Sequence, residues 1–172
     1  MRWPANILQK DVAPAEVLAR VATLPLTFSP WKPEMYEETM RKQRENFSSN
    51  QAWIKAYEQL AAANEYHNIM VVFNAAGEQV GWTLMCEPSS KLCAAFAFLE
   101  LLPSKEKTGL IACVGIDKNT RKGGIGQAML VAAMQDMKRR GVEGVFIDWV
   151  VIKRFYESLG FEDYWKYEKY DW

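Results

Sequence analysis

Residues 121–126 read Arg121-Lys122-Gly123-Gly124-Ile125-Gly126, two cations followed by a glycine-rich turn. An apolar run, residues 108–116, leads into this turn, and a long amphipathic run, residues 127–140, leaves it. The first N–H groups of a helix have no partner inside it, and the helix dipole adds partial positive charge at that end. A strand–turn–helix junction of this kind is therefore a cradle for an anion, above all a phosphate. Glycine lets the main chain approach the anion closely because no Cβ stands in the way. The cradle is not a P-loop, which would close on Lys-Ser or Lys-Thr where this chain has Gln127-Ala128. Nor is it a dinucleotide fingerprint: Gly124-Ile125-Gly126 is followed by Gln127, Ala128 and Met129, so the third glycine is missing.

A second chemical signal is an acid. The segment Phe146-Ile147-Asp148-Trp149-Val150 sets a carboxylate in otherwise apolar surroundings, which is costly unless the carboxylate has a role or a partner. Two readings stay open. Asp148 receives a substrate ammonium or acts as a base, directly or through water; or it is a strand-end residue paired with a nearby Lys or Arg. Glu100 and Asp117 are weaker candidates, and His67, the single histidine, lies in a polar link and reads as a surface residue.

The elements that must position these groups follow from periodicity and punctuation. Residues 1–12 fit a strand or an extended arm. Residues 14–21 read as a short helix with Pro14 in its first turn, and residues 26–29 as an extended link between Pro25 and Pro30. Residues 33–47 form an amphipathic helix with a narrow apolar face of Met35, Tyr36, Met40 and Phe47, and residues 51–63 form a second helix. Residues 69–73 and 79–86 read as a hairpin around the turn at 74–78. The apolar stretch 92–102 fits helix or strand equally. Residues 108–116 are apolar on both faces, as a central, doubly covered strand requires. A helix over 123–140, a strand over 142–150, a short helix over 152–159 and a final strand over 161–172 complete the chain.

Composition removes several function classes. With 21 Lys and Arg against 21 Asp and Glu the net charge is zero, which argues against binding nucleic acid by phosphate neutralisation. No apolar run reaches the length of a membrane span, and Met1-Arg2-Trp3-Pro4 lacks the apolar core of a signal peptide. Cys86, Cys93 and Cys113 are too few and too scattered for a zinc site or a disulfide framework, and read as thiols in a reducing cytosol, so the expected location is cytoplasmic.

The pattern Arg121-x-x-Gly124-x-Gly126 resembles the acyl-CoA binding motif of the GNAT superfamily of N-acyltransferases, and Phe155-Tyr156-Glu157-Ser158-Leu159-Gly160-Phe161 resembles a second motif of that family. The resemblance covers residues 33–172 and is strongest over 108–161, with residues 1–32 as an N-terminal extension or arm. It implies an α/β (α+β) fold: a mixed central sheet of about six to seven strands flanked by helices and splayed at the CoA site. It also implies acetyl-CoA as cofactor, a small-molecule amine as acceptor and an N-acetyltransferase activity by direct attack. No nucleic acid or membrane partner is expected, and a homodimer or a second domain in a longer chain is left open.

Transfer of an acyl group from a thioester to an amine needs a seat for the CoA diphosphate, a donor to the thioester oxygen, a base, and an acid for the thiolate. The N–H groups of Lys122, Gly123, Gly124, Ile125 and Gly126, with the charges of Arg121 and Lys122, supply the seat. By resemblance, the pantetheine arm pairs with Val114 and Ile116, an N–H of Val114 or Gly115 polarises the thioester, Tyr156 is the general acid, and Phe155 flanks the cofactor. The family often carries Asn seven residues before that Tyr, where this chain has Trp149. Residues 141–150 further resemble GNAT domains found with sugar-processing enzymes. The acceptor expected on that ground is glucosamine or a related amino sugar, with Trp82, Trp149 and Trp165 as stacking platforms or core residues. The rivals are acetylation of a protein lysine or N-terminus, and a non-catalytic acyl-CoA-binding regulatory module.

Overall fold

β-branched runs bounded by turn residues become strands, and amphipathic runs become the helices that cover them. The computed structural model describes Arg2 and Trp3 and residues 13–93, 105–148 and 150–164. In chain order these form β1 (Arg2–Trp3), α1 (Ala15–Ala22), β2 (Thr27–Pro30), α2 (Tyr36–Phe47), α3 (Gln51–Ala62), β3 (Ile69–Phe73) and β4 (Gln79–Cys86). They continue with β5 (Thr108–Ile116), α4 (Ile125–Arg139), β6 (Gly144–Ile147) and α5 (Lys153–Glu157). The six strands make one sheet in the order β1-β6-β5-β4-β3-β2. Only β5 and β6 run parallel; every other neighbouring pair is antiparallel, so the sheet is mixed as expected.

The β3–β4 hairpin is closed by chemistry local to its turn. The Asn74 side-chain oxygen accepts from the N–H groups of Ala76 at 3.0 Å and Glu78 at 2.9 Å, and Gly77 takes the left-handed position at φ +78°. Each face of the sheet then buries its own apolar layer. On one side Val17 of α1 and Met129, Met134 and Met137 of α4 pack on Val72, Ile111 and Val145, with Leu159 and Phe161 beyond α5. On the other side Met40, Ile54, Tyr57 and Leu60 of α2 and α3 pack on Ile69, Val71, Trp82, Leu84, Leu110 and Phe146. β5 supplies Ile111 to the first layer and Leu110 to the second, so it is covered on both faces.

A buried polar chain ties α2 to β4. The Trp31 indole donates to Thr39 Oγ1 at 2.9 Å, the Thr39 hydroxyl donates to Gln79 Oε1 at 2.8 Å, and the Trp82 indole donates to the same oxygen at 2.9 Å. Trp82 is fully buried and so belongs to the core; it is not a sugar platform. Residues 13–30 also join this body, α1 through the first apolar layer and β2 by pairing with β3.

The helix expected over 33–47 begins at Tyr36, after a tighter turn at Pro33–Met35, α1 and β2 shift by one residue, and α3 ends one residue early; three boundaries near the site also differ from the reading of the sequence. The strand expected over 142–150 spans Gly144–Ile147, because its partner β5 leaves it after Ile111. The helix expected from 123 begins at Ile125, because Gly124 sits at φ +75° and cannot continue a right-handed turn. Its end is a glycine stop: Gly141, at φ +84°, donates to Lys138 O, and Val142 donates to Met137 O at 3.1 Å. The helix expected over 152–159 is limited to Lys153–Glu157. Residues 4–12 and 94–104, with most of the apolar stretch 92–102, lie outside the described residues. So do Glu100, Trp149, Trp165 and most of the final strand expected over 161–172. Among the described residues no helix is long and apolar enough to cross a membrane.

Gly109 marks where α4 sits directly on β5. A Cβ there would lie 2.3 Å from Met137 Cε and 2.8 Å from the Cys86 carbonyl oxygen, and the main-chain oxygen cannot swing aside. Gly109→Ala is expected to lower stability by about 1–3 kcal/mol in a urea titration. An unchanged midpoint would contradict this packing.

Candidate active site

β5 carries the centre of the site. It pairs with β6 from Thr108↔Gly144 to Ile111↔Ile147 and then continues alone on that side to Ile116. On its other side β4 stays with it, but the register changes. Leu84 faces Ala112 and Trp82 faces Gly115, so Cys113 and Val114 together oppose Thr83. This is a β-bulge, and Cys113 takes φ +50°, which a non-glycine residue rarely adopts. The Thr83 hydroxyl supports it by donating to Ala112 O at 3.0 Å. The extra residue reverses the side-chain alternation. Ala112 and Cys113 both pack toward α2 and α3, while Val114 and Ile116 pack with Ile111 toward α4. The splay leaves an edge of β5 without a strand partner among the described residues, at the positions assigned to the pantetheine arm.

β5 runs into the loop at Asp117, whose side chain is buried. The Asn119 N–H donates to Asp117 Oδ1 at 2.9 Å, the Thr120 N–H donates to Asp117 O at 2.9 Å, and the Lys118 N–H donates to Asn46 Oδ1 at 2.8 Å. The first half of the loop is thus bonded to the protein itself. The second half is not. Among the described residues, the N–H groups of Gly124, Ile125, Gly126 and Gln127 have no partner, and intrahelical bonding starts with Ala128 N–H donating to Gly124 O at 3.1 Å. Lys122 at φ +79° and Gly124 at φ +75° turn the chain so that these amides open the helix. Arg121, Lys122, Gly123 and Gly124 are exposed around them.

Gly126 also lets α5 close on α4: a Cβ there would be 3.1 Å from the Phe155 ring. Phe155 packs edge-on against Tyr156, with centroids 4.9 Å apart, and Tyr156 packs edge-on against Phe161 at 6.0 Å. Gln127 locks this arrangement. Its side-chain nitrogen donates to Ser158 Oγ at 2.8 Å, its oxygen accepts from Arg20 of α1, and Ser158 Oγ donates to Phe155 O at 2.6 Å. The Tyr156 hydroxyl has no hydrogen-bond partner among the described residues, and burial raises its pKa above the usual value for a phenol. Asp148 is half-buried, one residue past the end of β6, where the parallel pairing stops.

The site residues expected from sequence therefore fall on one strand–loop–helix unit, 114–126, on the β6–α5 connection (Asp148) and on α5 itself (Phe155 and Tyr156). Asp117 is not a free acid: Lys42 Nζ lies 3.1 Å from Oδ2. Burial alone would raise its pKa, but the Asn119 N–H and the Lys42 ammonium more than offset that and hold it below the usual carboxylate range. His67 is exposed, 3.2 Å from Glu87, as expected of a surface residue. Cys113, Gln127, Lys42 and Asn46 are structural members of the site that the sequence reading did not single out. Lys42 and Asn46 stand four apart on the helix that ends in Phe47, whose ring fills the space where Gly115 has no Cβ, and no local sequence pattern singles them out.

The model of the Acetyltransferase (GNAT) family matches residues 28–161. No curated protein matches the chain. Among solved structures it resembles a GCN5-related glucosamine N-acetyltransferase region of a fungal multi-domain GH3 β-N-acetylglucosaminidase, with a TM-score of 0.76 and 24% identity over 88% of this chain; the match spans 18% of that protein. It resembles AAC(6')-Iy in complex with a CoA-S-monomethyl-acetylneamine bisubstrate analog at a TM-score of 0.59 and 12% identity, covering 85% of this chain and 97% of that one. For glucosamine-6-phosphate N-acetyltransferase from Arabidopsis thaliana the TM-score is 0.52 and the identity 17%, over 84% of this chain and 97% of that one. At these identities the likeness is one of fold.

Burial at the bulge has a measurable consequence. Loss of solvent pushes the Cys113 thiol up to about 12, whereas a thiol in an unfolded chain ionises near about 8.5. The native state keeps the proton over a range in which the unfolded chain loses it. This contribution to stability is full below about pH 8.5 and is lost as pH rises toward 12. The urea midpoint is expected to fall with rising alkalinity in the unaltered protein and to fall less steeply in Cys113→Ala. Equal slopes would contradict the burial of this thiol.

Proposed function

The chain belongs to the acetyltransferase (GNAT) family, and from that premise we propose that it moves the acetyl group of acetyl-CoA onto the amine of glucosamine or a related amino sugar. Membership in the family makes it an acyl-CoA-dependent N-acetyltransferase. The residues present fit that cofactor. Four adjacent amides at the start of a 15-residue helix, unpaired among the described residues and with Arg121 and Lys122 beside them, match a diphosphate in charge and in hydrogen-bonding type. This is the observation that carries the reading.

Acetyl-CoA supplies an activated acyl group and a thiolate leaving group. The chain supplies the rest. The amides of Gly124, Ile125, Gly126 and Gln127 hold the diphosphate, joined on our reading by those of Lys122 and Gly123. Val114 and Ile116 pair with the pantetheine arm along the free edge of β5, and Phe155 flanks the cofactor. At the splay beside the Cys113 bulge, a main-chain N–H, that of Val114 or Gly115, would donate to the thioester oxygen. Donors of this type are worth about 3–4 kcal/mol in acyl transfer. Tyr156 would hold the proton that the departing sulfur takes up, on its hydroxyl. A phenol is protonated at neutral pH in any case, and burial raises the pKa of Tyr156 further, so the acid form is the one present during turnover. Asp148 receives the acceptor ammonium and takes its proton, directly or through water.

The amino-sugar acceptor is supported by the likeness in fold to two glucosamine-type acetyltransferases and by the acid at the mouth of the splay. The multi-domain setting of the fungal relative supports a second domain or protein as this chain's neighbour.

Tyr156→Phe is expected to lower kcat by about 10²–10⁴-fold while leaving the Kd for CoA unchanged. A non-catalytic acyl-CoA-binding module would change in neither. A free-thiol assay with acetyl-CoA against glucosamine, spermidine and a lysine peptide is expected to favour glucosamine. Turnover of the peptide alone would overturn the amino-sugar assignment, and no turnover above hydrolysis would overturn the catalytic one.

A further inference from the structure

The start of the cradle loop is held by α2, not only by its own turn. Asp117 Oδ2 accepts from Lys42 Nζ at 3.1 Å and faces Asn46 Nδ2 at 3.5 Å, while Asn46 Oδ1 accepts from the Lys118 N–H at 2.8 Å. Asn46 is itself fixed, since its Nδ2 donates to Lys42 O at 2.9 Å. The Lys42 and Asp117 side chains are 19% and 6% exposed, so this ion pair is shielded, unlike the open pair of Arg41 and Glu38 on the same helix. One turn on, Phe47 rests on Gly115, so α2 touches both the strand before the loop and the loop itself.

These contacts divide the loop amides into two sets. The N–H groups of Lys118, Asn119 and Thr120 are bonded to Asn46 or Asp117, and those of Gly124 to Gln127 have no partner among the described residues. A site for an anion needs its donors aimed before the anion arrives, because donors that must first be ordered lose affinity. We propose that the Lys42–Asp117–Asn46 clamp of α2 positions the loop for the CoA diphosphate, and that these three are positioning residues for cofactor binding. The inference rests on the reading of the cradle as the diphosphate seat. It assigns to α2 a function in cofactor affinity beyond covering the sheet.

The test separates a positioning role from a merely structural one by comparing two ligands, coenzyme A and pantetheine. Only coenzyme A carries the diphosphate. Their Kd values are measured by calorimetry for the unaltered chain, Asn46→Ala and Lys42→Met, with Tm and near-ultraviolet circular dichroism as checks on folding. Asn46→Ala removes the acceptor for the Lys118 N–H, and Lys42→Met removes the ammonium paired with Asp117 while keeping an unbranched side chain. The expected result is a Kd for coenzyme A raised about tenfold in each folded variant, with the Kd for pantetheine within about twofold of the unaltered chain. Equal weakening of both ligands, or no weakening of coenzyme A in folded variants, would overturn the positioning role. If the unaltered chain binds coenzyme A no more tightly than pantetheine, the diphosphate seat itself is refuted and this inference falls with it.

Discussion

A main-chain N–H removed from water must find an acceptor, and nearly all of them in folded proteins do. The proposed site of this chain lies where main-chain N–H groups have no acceptor among the described residues and are open to one from outside. β5 loses its β6 neighbour after Ile111, and the helix that follows begins with four amides that nothing in the described chain accepts. Both gaps lie along one continuous path, from the bulge at Cys113 through the loop to Gln127. An extended ligand with amide groups at one end and a diphosphate at the other satisfies both. A ligand with only one of those parts leaves the other gap unfilled.

The rest of the fold keeps that path open. Methionines on α4 press the helix onto the sheet, and Gly109 and Gly81 remove side chains that would hold it away. Phe47 and the buried Thr39–Gln79–Trp82 chain fix α2 on the opposite face. Gln127 then joins α1, α4 and α5, so the helix bearing Tyr156 is referenced to the same helix start that holds the free amides. The acid proposed on α5 and the anion seat proposed on α4 thereby share one frame, which a proton transfer to a bound thiolate would require.

Much of this frame is legible in the sequence. Residues 69–73, 79–86 and 108–116 are strands with the bounds expected, because β-branched runs closed by Pro, Gly or Asn leave little other choice. The cradle is legible because glycines and cations occur between a strand and a helix. The bulge is not. Ala112-Cys113-Val114 reads as uninterrupted strand, and only the register against β4 reveals the extra residue. The strand after α4 reads too long for a related reason, since the departure of β5 ends the pairing at Ile147 whatever the local propensity. Thr39, Gln43, Lys42 and Asn46 read as solvated positions of a charged helix. Lys42 meets Asp117 across a sequence separation of 75, which no local pattern encodes.

The most direct measurement is a titration of the ¹⁵N-labelled protein with coenzyme A, followed through the main-chain amide resonances. The account expects large downfield shifts at Gly124, Ile125, Gly126 and Gln127, whose N–H groups would gain an anionic acceptor, and small ones at Lys118, Asn119 and Thr120, already bonded to Asn46 or Asp117. Saturable binding that leaves the amides from Gly124 to Gln127 unmoved would contradict it.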